Sequence, residues 1–291
     1  MAGFKGLWAM KDGYDNGKSH YTAWRKSPSP TTSSIVWFDM SMAPGTPSPQ
    51  YYAATPLTAT VLARSTDGGL NHGPNVSPDL KYLRQFLLTC QVGMAGQMPL
   101  QFLLADYLMF YSFIDTGVGD VQTTVNTNTL TRYTSGEGVQ MIPVTVAPCG
   151  GTSPTFVVSY TNSSGVSGRT SQPCVLPALG TYNGSVMAST NGAAATTGLF
   201  IGLQAGDTGV RSVESVTFTS GTDVGLIAIV LVKPLTYGVM IDRTAPVEVL
   251  TLEHTATLPR IYDDAYINFF TRTNGTIGGQ SFFGEITTVW G

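Results

Sequence analysis

Charged side chains are scarce in this sequence. Asp, Glu, Lys and Arg together make up 11% of the 291 residues, against roughly 25% in an ordinary soluble domain. Between Glu137 and Asp207 the only charged residue is Arg169. Thr, Ser, Gly, Asn and Gln replace the charges, and hydrophobic content stays at 42%. So low a charge indicates a surface covered by protein partners, because interface centres are depleted in charge; a neutral, Thr-rich β surface is the alternative.

The few charges present show no basic face. The net charge is −3, and the main group of cations is a sparse N-terminal set: Lys5, Lys11, Lys18, Arg25 and Lys26. Nucleic-acid binding requires several cations on one face, so we predict no nucleic-acid partner. Residues 1–30 contain no apolar segment of the signal-peptide type, and no apolar run reaches the roughly 18 residues of a membrane span. We therefore expect no membrane partner.

Cysteine is also rare. The chain has three cysteines, Cys90, Cys149 and Cys174. An odd and sparse set argues against a disulfide framework and favours folding in a reducing compartment. We predict free, buried thiols, with a single Cys149–Cys174 disulfide as the alternative.

Patterns that carry catalytic or cofactor chemistry are missing. The segment 13–19, Gly-Tyr-Asp-Asn-Gly-Lys-Ser, is one residue short of a phosphate-binding loop and follows no convincing hydrophobic strand. Zinc sites need clustered ligands, whereas the three histidines are far apart: His20, His72 and His254. Adjacent carboxylates such as Asp263 and Asp264 point to opposite faces of a strand, so we place them in a turn or at a helix N-terminus. We predict no enzymatic activity, no metal and no cofactor.

Short β-type runs dominate the sequence from Thr131 onward. They lie at 139–147, 155–161, 198–204, 213–219, 224–233, 237–241, 246–252 and 281–290. Gly, Asn and Asp turn signals separate them, which is typical of an antiparallel β-sandwich or jelly roll. The almost wholly apolar run 224–232 predicts a central strand that is buried on both faces. The fold class we predict is mainly β, with one or two short helices and an extended N-terminal arm.

The first hundred residues divide into an arm and a helical stretch. Residues 1–50 are irregular and rich in Gly, Ser and Pro, and we assign them to an arm that docks on a neighbouring subunit; a loop wrapped over its own domain is the alternative. Residues 51–291 form the β-sandwich domain. Helical spacing from Leu80 to Cys90, followed by the apolar run from Leu100, predicts a short helical insertion near 79–105.

Candidate interface residues are aromatic or belong to an isolated charge group. Asp207 and Arg211 either contact another subunit or pin a loop as an internal ion pair. The tyrosine-containing run 260–266 is the best candidate for a carbohydrate platform, although aromatic residues are more often core or interface. Trp290 predicts a C-terminal tail held in a sheet or in a neighbour's groove. The complete set is Trp8, Trp24, Trp37, Asp207, Arg211, Tyr262, Tyr266 and Trp290.

Several phrases between residue 100 and the end resemble virion structural proteins of tailed bacteriophages. They lie at 108–115 (Leu-Met-Phe-Tyr-Ser-Phe-Ile-Asp), 130–138, 155–162, 165–169, 203–212, 231–235 and 287–291 (Thr-Thr-Val-Trp-Gly). The resemblance covers roughly two thirds of the chain, and its motifs carry no catalytic signature. It implies a β-sandwich protein on or between major capsid subunits, although a shared fold does not by itself establish a role.

The resemblance and the composition together suggest a non-enzymatic virion protein, a head decoration or cement protein that stabilises the capsid lattice. We expect it to bind the major capsid protein and copies of itself, as a trimer, and to assemble into the capsid in the bacterial host cytoplasm. One alternative is a tail, neck or baseplate component with the same fold. Another is a host-surface module that binds glycans through exposed tyrosine and tryptophan.

Overall fold

The computed structural model describes residues 3–28, 35–90, 97–176, 184–186, 198–276, 278 and 280–291. The chain is mainly β, with 46% of its residues in strands, 7% in helices and antiparallel sheets. The predicted mainly β sandwich class is therefore confirmed. No helix in the described ranges is long and apolar enough to cross a membrane.

The described residues form two α-helices, α1 (Leu7–Asp15) and α2 (Thr251–Thr255). The first nine strands are β1 (Ser19–Lys26), β2 (Trp37–Asp39), β3 (Gly45–Thr46), β4 (Ala59–Val61), β5 (Lys81–Cys90), β6 (Leu100–Asp115), β7 (Gln122–Thr123), β8 (Gln140–Ala147) and β9 (Thr155–Asn162). The other nine are β10 (Arg169–Thr170), β11 (Cys174–Val175), β12 (Ser185–Val186), β13 (Val210–Ser220), β14 (Leu226–Met240), β15 (Val247–Leu250), β16 (Arg260–Ile261), β17 (Ile267–Thr273) and β18 (Phe282–Trp290).

The strands form three sheets. In the first, the order is β15-β5-β18-β1-β3, and β16 also pairs with β5. In the second, the order is β10-β9-β13-β7, and β11 pairs with β9. In the third, the order is β14-β8-β12-β2-β17-β6-β4. Because β14 also pairs with β6, the third sheet curls on itself.

The curled third sheet lies between the other two. One apolar core fills the space between it and the second sheet, and another fills the space between it and the first. A third core lies inside the curl. Strand β14 runs between β6 and β8. The odd-numbered residues from 227 to 232 point into the core between the second and third sheets, and the even-numbered residues point into the core inside the curl. Residues 227–232 are all buried, which confirms the predicted central strand and explains its continuous apolar run.

The helical insertion predicted near 79–105 is wrong. The described part of that region is strand β5 and the start of β6; residues 91–96 lie outside the described ranges. Pairing between β5 and β18 shifts register between Thr287 and Thr288, which face Gln85 and Leu83. A bulge of this kind inserts one extra residue, so the buried Leu83 and Phe86 are three apart. That spacing imitates a helix in the sequence.

The extended arm predicted for residues 1–50 is also wrong. Strand β1 pairs with β18 and β3 in the first sheet, and β2 pairs with β12 and β17 in the third. Helix α1 packs beside β18. The described part of this segment belongs to the same fold as the rest, as the alternative expected; residues 1–2 and 29–34 lie outside the described ranges. The C-terminal residues form β18, so the prediction of a tail held in a sheet is confirmed.

Candidate functional site

Helix α1 presents large apolar side chains to solvent. Its Met10 and Gly13 are buried, whereas Leu7 and Trp8 are 65% and 78% exposed. A surface helix normally turns its apolar residues toward the core. Exposed apolar groups of this size are typical of a contact with another molecule. We call Leu7 and Trp8 the helix surface.

A second exposed apolar set lies at the end of β14. Tyr237, Val239 and Ile241 are 70%, 39% and 79% exposed, whereas Met240 is buried. Alternate residues of an extended chain point to the same side, so the three side chains form one stripe. Pairing between β14 and β8 ends at Val232, so this end of β14 extends beyond β8. We call Tyr237, Val239 and Ile241 the strand surface.

The four tryptophans of the predicted interface occupy different environments. Trp8 is exposed, and Trp37 and Trp290 are half-buried in β2 and β18. Trp24 is 4% exposed, and its ring centroid lies 5.6 Å from that of Phe86 in the core between the first and third sheets. An interface role for Trp24 is therefore wrong, because the side chain is covered by its own chain.

Asp207 and Arg211 do not pair with each other. Asp207 binds Nε of Arg169 at 3.0 Å and accepts the Tyr160 hydroxyl at 2.6 Å. The bond to Arg169 lowers the pKa of Asp207 to about 2, against an opposing effect of burial. Arg211 donates to the Ser163 carbonyl at 2.7 Å. Both side chains therefore hold loops at the end of the second sheet. This agrees with the alternative of an internal contact that pins a loop, except that the ion-pair partner of Asp207 is Arg169 and not Arg211.

The two tyrosines of the run 260–266 form no open aromatic platform. Tyr266 is fully buried, and its hydroxyl donates to the Asp67 carbonyl at 2.8 Å. The Tyr262 ring makes an edge contact with Tyr133 at 5.1 Å, and the Arg260 guanidinium lies 4.9 Å from its centroid. The prediction of an interface role for Tyr266 is therefore wrong. Tyr133 and Arg260 lie against the Tyr262 ring and cover part of it.

A buried ion pair whose partners no local sequence pattern predicts joins β6 to the segment that follows β7. Asp106 and Arg132 are 1% and 2% exposed. Arg132 donates to both carboxylate oxygens of Asp106, at 2.8 and 2.9 Å, and to the carbonyls of Leu62 and Tyr107. Burial raises the pKa of Asp106 to about 6, and Arg132 opposes that rise. A lone carboxylate in the apolar run 100–113 was the available signal for a buried pair.

A second buried charge is Lys81 of β5, which has no exposed surface. Its Nζ lies 3.3 Å from Nδ1 of His72 and 3.2 Å from Oδ1 of Asp263. Burial and the neighbouring Lys81 lower the pKa of His72 to about 3. His72 is therefore neutral, so its Nε2–H donates to the Ala265 carbonyl at 3.0 Å and its Nδ1 accepts from Lys81.

A third group of buried polar side chains surrounds Asp39 in the curl of the third sheet. The carboxylate accepts hydrogen bonds from the hydroxyls of Tyr52, Tyr107 and Ser41, at 2.5, 2.9 and 2.8 Å. Burial raises the pKa of Asp39, and these donors oppose the rise. Lys26, the last residue of β1, is buried as well, and burial lowers its pKa to about 8. The buried charges thus connect neighbouring elements of the fold.

A cleft of about 580 Å³ lies at the surface end of the first two groups, lined by Ala63, Arg64, Ser65, Asn75, Asp263 and Asp264. Asp263 and Asp264 occupy a turn, as predicted. Each has a buried internal partner: Lys81 for Asp263 and, at 3.3 Å, Arg132 for Asp264. No group of three or more His, Cys, Asp or Glu in the described ranges is placed to hold a metal ion. The acidic groups of this cleft are thus engaged in holding the fold.

The three cysteines are free and buried, as predicted. Burial raises the pKa of Cys90 to about 12 and those of Cys149 and Cys174 to about 11. The thiols are therefore protonated at neutral pH, and the thiolate that reacts as a nucleophile is scarcely populated.

Comparisons with known proteins identify no relative of this chain. No family model, no curated protein and no solved structure matches the chain. The fold and its exposed surfaces are therefore the features that bear on function.

Proposed function

We propose that this chain is a non-enzymatic structural subunit of a tailed-bacteriophage virion, where it acts as a head decoration or cement protein. The observation that carries the proposal is the helix surface. Trp8 is 78% exposed beside an exposed Leu7, on a helix whose opposite side packs on its own chain. Tryptophan is enriched among the residues that supply most of the binding energy at protein interfaces. The strand surface provides a second contact of the same chemical character.

The distribution of charge supports an assembly role. Five of the chain's few charged side chains are buried: Lys26, Asp39, Lys81, Asp106 and Arg132. Their burial leaves the outer surface even poorer in charge than the composition indicates. A monomer relies on surface charge for solubility, whereas the centre of a protein interface is depleted in charge. A surface of this kind is suited to contact with other subunits.

The proposed partners are the major capsid protein and further copies of this chain. Repetition of modest contacts over a lattice gives avidity that a single contact lacks, and a cement protein acts in this way. A tail, neck or baseplate position uses the same surfaces with a different number of copies. Decoration of the shell requires on the order of hundreds of copies, whereas a tail or neck ring requires about six or twelve.

Binding to particles that lack the protein tests the proposal. Trp8→Ala and Tyr237→Ser each remove an exposed side chain, so we expect stability changes within about 0.5 kcal/mol. We expect each to reduce binding, measured by co-sedimentation, by roughly tenfold or more. The matched control is Val224→Ser, because Val224 is 72% exposed and precedes Leu226, the first residue of β14, far along the strand from Tyr237.

Two outcomes would count against the proposal. If the unaltered protein does not bind particles, the chain is not a decoration protein. If Trp8→Ala, Tyr237→Ser and Val224→Ser all bind as well as the unaltered chain, the helix and strand surfaces are not the contacts.

A further inference from the structure

Strand β1 forms an incomplete edge of the first sheet. On one side, β18 pairs with β1 along its whole length, Ser19–Lys26. On the other side, β3 pairs only with Arg25 and Lys26. From Ser19 to Trp24, no strand of the described ranges lies beside this second side.

The hydrogen-bond pattern shows which backbone groups face the open side. The Trp290 N–H donates to the Lys18 carbonyl at 3.1 Å, so even-numbered residues of this strand direct their backbone groups to β18. The Ser27 N–H donates to the Pro44 carbonyl at 2.8 Å, so odd-numbered residues direct theirs to the side of β3. Ser19, Tyr21 and Ala23 therefore present N–H and C=O groups to the open side. In the described ranges these groups make no backbone hydrogen bond on that side.

Three common protections against strand pairing are missing from residues 19–24 of this edge. Natural edge strands are commonly blunted by lysine, by proline or by a bulge. Residues 19–24 contain neither lysine nor proline, and pairing of β1 with β18 runs without a register shift. Tyr21 is 57% exposed and Ala23 is also exposed. The outward-facing side chains of Tyr21 and Ala23 are therefore exposed, and no strand of the described ranges occupies the place beside them.

We propose that this edge pairs antiparallel with the same edge of a second copy of the chain, across a two-fold axis at Tyr21. This register places Tyr21 opposite its counterpart and Ser19 opposite Ala23 of the partner subunit. Pairing of all three outward-facing residues forms roughly six backbone hydrogen bonds. The inference rests on the proposed role as an assembly subunit and specifies one of its self-contacts. It gives a dimer, in contrast to the trimer expected from the sequence.

The charge of the edge favours a second copy as the occupant. A two-fold interface places each residue close to its own counterpart, and like charges directly opposite each other are destabilising. Residues 19–24 contain no Asp, Glu, Lys or Arg. Burial, and secondarily Lys81, lower the pKa of His20, so this side chain is neutral at neutral pH. Glu285 of β18 lies beside the Tyr21 hydroxyl, and the edge strand itself places no like charges directly opposite each other across the axis.

Charge variants at Tyr21 test both the contact and its symmetry. Light scattering over a range of concentrations should show that the unaltered full-length chain forms dimers. Tyr21→Lys and Tyr21→Glu each place like charges across the axis, so each should weaken self-association by roughly tenfold or more. An equimolar mixture of the two variants should restore dimers, because lysine then faces glutamate. The matched control is Val224→Lys, which adds a lysine at a position that is 72% exposed, outside β1 and outside the helix and strand surfaces, and should keep the dimer.

Hydrogen exchange on the unaltered chain provides an independent readout. At low concentration the amides of Tyr21 and Ala23 should exchange faster than those of Thr22 and Trp24, which bond to β18. At high concentration Tyr21 and Ala23 should become protected. A monomer at all concentrations, a mixture that stays monomeric, or protection that appears only when particles are added would each overturn the pairing. A chain that is monomeric in solution yet present in particles would overturn the pairing and leave the virion role intact.

Discussion

Replacement of Arg132 by methionine should strongly destabilise the protein at neutral pH. Removal of one partner of a buried ion pair typically costs about 3–5 kcal/mol, because the other charge stays buried without compensation. Arg132 also donates to the carbonyls of Leu62 and Tyr107, at 3.1 and 3.0 Å, and the variant leaves those acceptors without this donor. We therefore expect Arg132→Met to lower the free energy of unfolding by about 4–5 kcal/mol at pH 7.

The effect should depend on pH with a defined sign. The pKa of Asp106 in the folded protein is about 6, above the usual aspartate value of about 3.9. A raised folded pKa contributes stability that is fully present below the unfolded pKa and is lost as pH rises through the folded pKa. Without Arg132 the pKa of Asp106 rises further, so the variant should regain stability as pH falls from 7 to 5. The cost of the substitution should be smaller at pH 5.

Urea unfolding followed by tryptophan fluorescence, at pH 7 and pH 5, measures the cost. The comparison requires two-state transitions with similar slopes for both proteins. Arg64→Met is the matched control, because Arg64 lines the same cleft but is exposed, and its cost should stay within about 0.5 kcal/mol. A cost below about 1 kcal/mol for Arg132→Met at pH 7, or an equal cost at both pH values, would show that Asp106 does not depend on Arg132 for compensation of its buried charge.

Other substitutions and reagents test separate parts of the structure. The folded pKa of His72 is about 3, below the usual value of about 6.5, so its contribution is present above pH 6.5 and is lost as pH falls toward 3; by pH 5 the loss should be about 2 kcal/mol. His72→Gln should remove this component from urea titrations, and an unchanged pH profile would contradict the neutral assignment. Trp24→Ala should cost about 3–5 kcal/mol because the side chain is buried, and a cost no larger than that of Trp8→Ala would contradict its core position. The three thiols should react with a colorimetric thiol reagent only after unfolding; rapid labelling of the native protein would show that burial is incomplete.

The fold class was predictable because strand alternation and turn residues are local properties of a sequence. The runs 139–147, 155–161 and 281–290 correspond closely to β8, β9 and β18. The runs 224–233 and 237–241 form a single strand, β14, even though Pro234 lies within it. Register between β14 and β6 shifts next to that proline, and strand prolines are tolerated at such bulges.

Other elements depend on tertiary contacts that local patterns do not show. The run 198–204 forms no strand; Ile201 is buried and bonds through its N–H to the Met141 carbonyl without a ladder. The buried residues Leu83 and Phe86 of β5 are spaced as in a helix because of the bulge between them.

The candidate site was only partly predictable for the same reason. Trp8 and Trp24 were both candidate interface residues, and sequence alone did not distinguish the exposed Trp8 from the buried Trp24. The partner of Lys81 lies far away along the chain at Asp263, and that of Asp106 lies at Arg132. Neither pairing corresponds to a helical or strand spacing. The strand surface was missed because exposure of Tyr237 depends on where pairing with β8 ends.

Cryo-electron microscopy of the intact virus particle, with this chain located in the density, would show directly whether the chain is a component of the capsid shell. We expect density for this fold repeated across the capsid shell, with Trp8 at a contact with a neighbouring subunit. Density confined to the tail axis or to one vertex would move the chain to the tail or neck. Absence of the chain from the particle would contradict the structural role.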